Sequence, residues 1–191
     1  MTTSVSGSER RLHPHKFMLW IAIGSIVMMF AGLTSAYLVK KSQTNWLEFD
    51  LPVVFWYSTV AILASSATMW LAQKNFKARE MQRYRIFITA TAILGVAFMA
   101  LQIVGFYDLE AKSIRLLGAT SNPAASFLFV ITALHILHVL GGVVAIMVIF
   151  IRAFVGKTKL YSSRPIELVS IYWHFVDILW IYLFIFYNWV N

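Results

Sequence analysis

Five long apolar runs, separated by short polar linkers, order the whole chain: residues 17–39, 52–72, 86–106, 124–151 and 166–190. A helix crossing the hydrocarbon core of a bilayer needs about 20 mainly apolar residues, because each adds only about 1.5 Å along the axis. All five runs meet that length. The first holds no charged side chain, and Pro52 opens the second, where proline's missing N–H had no helical partner to lose. Gln102 is the only strongly polar side chain of the third run; the fourth carries His135 and His138, and the fifth carries Glu167, His174 and Asp177. Strands of a membrane barrel would be about 10 residues long with a period of two. Neither feature is present, so the pattern predicts an all-α integral membrane bundle of five transmembrane helices. Residues 1–16 read as a polar tail and 17–191 as a single transmembrane domain.

Composition strengthens this reading. Of 191 residues 60% are hydrophobic and 13% charged, with a mean hydropathy of +0.73. Soluble chains carry about 25% charged residues, and one apolar core cannot hide such an excess from water. The linkers at 40–51, 73–85, 107–123 and 152–165 are short, and no internal repeat or low-complexity tract interrupts them. The first run outruns the 7–15 residue core typical of a signal peptide, and no small-x-small cleavage site follows it, so it is expected to be retained. There is no cysteine, which excludes disulfides, cysteine-ligated zinc and a cysteine nucleophile.

Charge sets the expected orientation. Lysine and arginine in short loops stay on the cytoplasmic side. Twelve of them (Arg10, Arg11, Lys16, Lys74, Lys77, Arg79, Arg83, Arg85, Arg152, Lys157, Lys159 and Arg164) fall in the tail and the second and fourth linkers, against four (Lys40, Lys41, Lys112 and Arg115) in the other two. This predicts a cytoplasmic N-terminus and a C-terminus on the opposite side. The net charge of +8 is then a topology signal, with some attraction to anionic headgroups. Spread over three short segments, it does not describe a nucleic-acid surface, and no nucleic-acid partner is expected. Trp46, Trp56, Trp70, Trp180 and Trp189 lie mostly near run ends, as interfacial tryptophans do.

Helices in lipid gain nothing from burying apolar side chains against each other, so they associate through close contact and a few polar bonds. Small residues suited to such seams recur as Gly24, Ala31, Gly32, Ser35 and Ala36 in the first run, Ala61, Ala64, Ser65 and Thr68 in the second, and Gly141, Gly142 and Ala145 in the fourth. Ionisable residues at membrane depth are costly unless paired. His135 and His138 share a face of the fourth helix. Glu167, His174 and Asp177, at i, i+7 and i+10, share a sector of the fifth. His138 and Asp177 lie at similar depth near the midplane. The expectation is a buried histidine–carboxylate contact between the fourth and fifth helices, Asp177 with His138 or His135; the plainer reading is that these groups only lock two helices together.

A metal bound at His135-x-x-His138, with help from His174 and Asp177, is disfavoured, because two histidines at helical spacing fall short of a ligand set. An axial haem ligand is a further formal possibility. No nucleophile–base constellation and no glycine-rich phosphate loop occurs, so no catalytic residue, cofactor-binding residue or metal ligand is assigned.

The fifth run, IELVSIYWHFVDILWIYLFIFYNW, strongly resembles in its YWHFVDILW core the last transmembrane helix of subunit III of the haem–copper terminal oxidases. SFLFVITALHILHVLGGVVA is similar to that family's preceding helix, with its H-x-x-H-V-x-x-G pattern; SIVMMFAGLTSAYL resembles its S-E-V-M-F-F-A-G helix, and Leu101-Gln102 also fits. The resemblance covers nearly all of the chain and matches the last five of seven helices in larger members.

The resemblance implies a noncatalytic subunit beside a catalytic subunit I, in a complex that reduces oxygen and pumps protons in a bacterial plasma membrane. Haem and copper would sit in partner subunits, and none in this chain. Subunit III would hold phospholipid in a cleft, support proton uptake and protect the metal centre from turnover inactivation. By match, His135, His138, Glu167, Trp173, His174 and Asp177 are the structural, lipid-related or proton-related positions. Two departures stand out. The two absent helices form one wall of the family's lipid cleft. The family's membrane glutamates fall here on Ile26 and Gly105. Alternatives are an accessory subunit of a quinol oxidase or nitric oxide reductase, and, from another class, a small proton-coupled transporter, which should show internal repeats and broken helices that are not visible here.

Overall fold

A computed structural model of the chain describes residues 14–42, 46, 49, 51–112, 114–116, 118, 122–155 and 164–190. The tail to residue 13, with Arg10 and Arg11, and Lys157 and Lys159 of the fourth linker lie outside the described residues. Five α-helices follow in order: α1 Pro14–Lys41, α2 Val54–Lys77, α3 Met81–Ala111, α4 Pro123–Val155 and α5 Arg164–Val190. All five are long and apolar enough to cross a membrane, and no strand occurs among the described residues. The all-α, five-span reading therefore holds.

The helices outrun the apolar runs at polar ends. At about 1.5 Å per residue, the 31 residues of α3 reach well beyond a hydrocarbon core of about 30 Å. Helix starts follow local chemistry. Pro52 lies just before α2, accepting from the Phe55 N–H at 3.0 Å. Asn122 caps α4, its side-chain oxygen accepting the Ala124 N–H at 2.9 Å, with Pro123 in the first helical position. The α2–α3 turn is a Schellman motif. The Glu80 N–H reaches the Asn75 carbonyl at 3.0 Å, the Arg79 N–H reaches Phe76 at 3.1 Å, and Arg79 takes the left-handed φ of 61° that glycine usually supplies.

α2 and α3 form the tightest pair. α3 also packs on α4, α4 on α5, and α5 back on α2, closing a four-helix square, while α1 leans on the outside of α4 and α5. The α2–α3 seam is lined by hydroxyls and amides. Gln102 Nε2 donates to Ser58 Oγ at 2.9 Å, the Thr68 and Thr91 hydroxyls meet at 2.9 Å, and Ser65 Oγ reaches the Thr91 carbonyl at 3.4 Å. α1 is held differently. Phe30 and Tyr37 are buried, the Thr34 and Tyr182 hydroxyls meet at 2.9 Å, and both helix ends are tied to α5: Lys16 to Glu167 at one, Lys41 Nζ to the Val190 carbonyl at the other. Its glycines Gly24 and Gly32 face open space, so they form no seam with the described residues.

Candidate functional site

The polar residues of α5 are presented mainly to α2. Three hydrogen bonds run in register down this antiparallel seam. Trp173 Nε1 donates to Ser65 Oγ at 2.9 Å, the Ser66 hydroxyl and His174 Nδ1 lie 2.7 Å apart, and Trp180 Nε1 donates to Thr59 Oγ1 at 3.0 Å. An indole N–H in hydrocarbon needs an acceptor, and in lipid such bonds are among the few forces that choose one helix partner over another.

Trp173 is fully buried and wedged between three helices. A Cβ built on Gly95 of α3 would stand 2.7 Å from its Cη2, and one on Gly142 of α4 would stand 2.9 Å from Cε3 and Cζ3. Both glycines are therefore spaces for this ring. Gly142 belongs to the small-residue set marked in the fourth run. Gly95 does not, and an isolated glycine in an apolar run is the only sequence signal it carries.

His135 is fully buried and surrounded by rings: Phe30 of α1 at 6.3 Å, Phe98 of α3 at 5.8 Å and Trp180 of α5 at 5.3 Å between centroids. Neither of its ring nitrogens has a hydrogen-bond partner among the described residues. His138 donates from Nδ1 to its own helix, to the Leu134 carbonyl at 2.7 Å, and packs against Phe30. Asp177 is 2% exposed, and among the described residues neither carboxyl oxygen makes a hydrogen bond of good geometry. Ser66 lies beside that carboxyl, with its hydroxyl at hydrogen-bond distance from His174.

The expected histidine–carboxylate bond is thus not formed: Asp177 bonds to neither His135 nor His138. Helix azimuth is the reason. α4 turns its histidines toward rings on α1, α3 and α5, while Asp177 faces the α2 side. Polar contact between α4 and α5 comes instead from the Tyr172 hydroxyl, which donates to the His138 carbonyl at 3.0 Å, and from the Thr132 and Tyr187 hydroxyls, 3.5 Å apart.

Glu167 lies in the first turn of α5, where a helix N-terminus favours negative charge. Its carboxylate is 3.4 Å from Lys16 Nζ of α1 and 4.0 Å from Lys77 Nζ of α2, joining three helices at one end of the bundle. Ser65, Ser66, Thr59, Gly95 and Tyr172 complete the site and were not singled out as functional positions from sequence. The adjacent Ser65-Ser66 pair in a spanning run, facing a tryptophan-rich run, was the available signal for two of them.

Gly105 and Ile26 stand where the resemblance places membrane glutamates. A Cβ on Gly105 would stand 2.6 Å from Cε1 of Phe55, so the phenyl ring fills that side-chain space, and Ile26 packs partly buried against the core. Among the described residues no three His, Cys, Asp or Glu side chains gather where they could hold a metal ion. His135, closed in by three rings, offers no open face to a porphyrin.

These features define a multi-pass membrane protein whose intramembrane polar groups mostly tie helix to helix. Residues 15–191 match the family model described as Cytochrome c oxidase subunit III. The chain is 29% identical over 89% of its length to Cytochrome c oxidase subunit 3 of Bacillus sp. strain PS3, covering 83% of that protein. It is 30% identical to Probable cytochrome c oxidase subunit 3 of Nocardia farcinica, covering 96% of this chain and 97% of the relative. It is also 30% identical to Cytochrome bo(3) ubiquinol oxidase subunit 3 of Buchnera aphidicola, over 89% and 90%. The chain belongs to the cytochrome c oxidase subunit III family. With five spans and bacterial relatives, it is a multi-pass protein of a bacterial plasma membrane.

Proposed function

We propose that this chain packs as a noncatalytic subunit III against a haem- and copper-bearing catalytic subunit I of a proton-pumping oxidase, with its N-terminus in the cytoplasm. Cytochrome c is the proposed electron donor, oxidised on another subunit. The observation that carries the reading is the α2–α5 seam. At the family's characteristic positions, Trp173 and His174 bond across to Ser65 and Ser66, and Glu167 pins Lys16 and Lys77. Side chains so engaged serve assembly and are poor candidates for redox ligands. His135, His138 and Asp177 are proposed as structural or proton-related positions, and phospholipid as a bound component that supports the packing with subunit I and proton uptake.

Purification of the native complex through a tag on this chain tests the proposal. Haem absorbance and copper should co-purify in fixed ratio to a larger partner, and the chain separated from that partner should carry neither. Recovery from native membranes as a partner-free monomer, or haem remaining on the isolated chain, would overturn it. Topology is readable separately. The chain has no cysteine, so Gln82→Cys should react with a membrane-impermeant maleimide only after cell lysis and Ser42→Cys in intact cells.

A relative named for ubiquinol is 30% identical, the same figure as one named for cytochrome c, which keeps a quinol oxidase as the second reading. Turnover of the purified complex with reduced cytochrome c and with ubiquinol decides between them.

A further inference from the structure

The α2–α3 turn holds a pocket of about 460 Å³ whose lining changes character with depth. At its outer rung stand Lys74 on α2 and Arg83 on α3, with Glu80 between them; one turn further into the bundle along each helix come Leu71 and Ile86-Phe87. Trp70, 55% exposed on the last turns of α2, places this rung at headgroup level, where amphipathic rings settle. Lys74 Nζ lies 5.4 Å from the Trp70 ring centroid and has no carboxylate partner among the described residues. Arg83 pairs through Nη1 with Glu80 at 3.2 Å, but its side chain is 70% exposed, and a guanidinium has further N–H donors to offer. The segment around the turn carries five basic residues (Lys74, Lys77, Arg79, Arg83 and Arg85) against one acid, Glu80.

Cations at the rim and an apolar floor reproduce the order of groups in a phospholipid, phosphate first and acyl chain below. Basic pockets between spanning helices are where anionic headgroups bind. We propose that this pocket seats an anionic phospholipid, with Lys74 and Arg83 on the phosphodiester and an acyl chain along Leu71, Ile86 and Phe87. Lys77 is ion-paired to Glu167 and Arg79 does not line the pocket, so neither holds the lipid. Glu80 opposes the phosphate and tunes the affinity downward. The site is built by one helix hairpin, so it depends neither on which side of the membrane the turn occupies nor on the partner subunit.

The test uses the purified native complex in detergent, titrated with phosphatidylglycerol or phosphatidylcholine of the same acyl chains and read by native mass spectrometry. Phosphatidylglycerol should bind about tenfold more tightly, and the doubly substituted K74Q/R83Q complex should lose that preference. E80Q should raise phosphatidylglycerol affinity a few-fold. R79Q, which removes the same charge from the same turn outside the pocket, should leave affinity within about twofold, where diffuse attraction would cost as much as either pocket substitution. A photoreactive phosphatidylglycerol on the unsubstituted complex should crosslink to residues 70–87, which keeps the test valid if a variant misassembles. Equal binding of the two lipids, equal losses for R79Q and the pocket variants, or a pocket found crosslinked to an acidic protein segment in place of lipid would each overturn the proposal.

Discussion

Replacing Gly95 by alanine adds one methyl group at the most crowded point of the bundle. That methyl would stand 2.7 Å from Cη2 and 3.1 Å from Cζ2 of Trp173, and 3.1 Å from Cγ2 of Val143. Carbon atoms rest at about 3.5–4.0 Å, so something must move by most of an ångström. The indole is poorly placed to yield, because its other edge already lies against the Gly142 backbone and its N–H is bonded to Ser65. Overpacking of this kind costs about 1–3 kcal/mol. A shifted indole also weakens its hydrogen bond, worth about 1 kcal/mol, while alanine's better helix propensity returns up to about 1 kcal/mol. The expected net loss is about 2 kcal/mol, and Gly142→Ala should behave alike. Gly141→Ala is the control, since its methyl would meet only the Tyr172 hydroxyl at an ordinary 3.8 Å. Stability is read as the midpoint of unfolding in a mixed micelle titrated with a denaturing detergent. In a Trp173→Phe background, which removes the colliding atoms, the cost of Gly95→Ala should fall by about 1 kcal/mol or more. If Gly95→Ala is harmless, or as costly without the indole as with it, the ring-in-slot explanation is wrong.

Gly105→Glu should prevent accumulation of the chain in the membrane because Phe55 fills the space; Phe55→Ala in the same chain should restore accumulation, as seen by immunoblot. Glu167→Gln should loosen the start of α1, whose tie through Lys16 at 3.4 Å is lost, raising protease cleavage near Lys16. The pair is partly exposed, so the effect should stay below about 1 kcal/mol and shrink in high salt. Arg79→Gly should stabilise the hairpin by up to about 1 kcal/mol by relieving a left-handed φ of 61°, measured by the same detergent titration; a lower midpoint would show that the turn is not strained. Asp177→Asn should assemble and co-purify normally, since the isosteric amide can still accept from the neighbouring Ser66 hydroxyl; a complex that falls apart would reveal a partner the structure does not show.

The helices were legible because run length is a direct record of bilayer thickness. Helix ends were less so: α3 begins at Met81 and not at residue 86, since backbone hydrogen bonding continues through charged residues that hydropathy treats as loop. Trp173, His174 and Glu167 were legible as positions that matter, but not as what they touch. Nothing linear tells Asp177 that it will face α2, or His135 that rings from α1, α3 and α5 will enclose it. The small residues show the same divide. Gly142 lies against an indole, while Gly24 and Gly32, equally suggestive in sequence, face open space.

What the amino-acid order determined alone is the number of crossings and the place of each polar group along its own helix. Both follow from one-dimensional quantities, apolar length and residue number. Only the tertiary structure decided which helices became neighbours and how each was rotated about its axis. In lipid that choice rests on a few close fits and hydrogen bonds, such as Trp173 between Gly95 and Gly142 with its N–H on Ser65. Those contacts join residues on four helices, a relation that no periodicity within a single helix encodes.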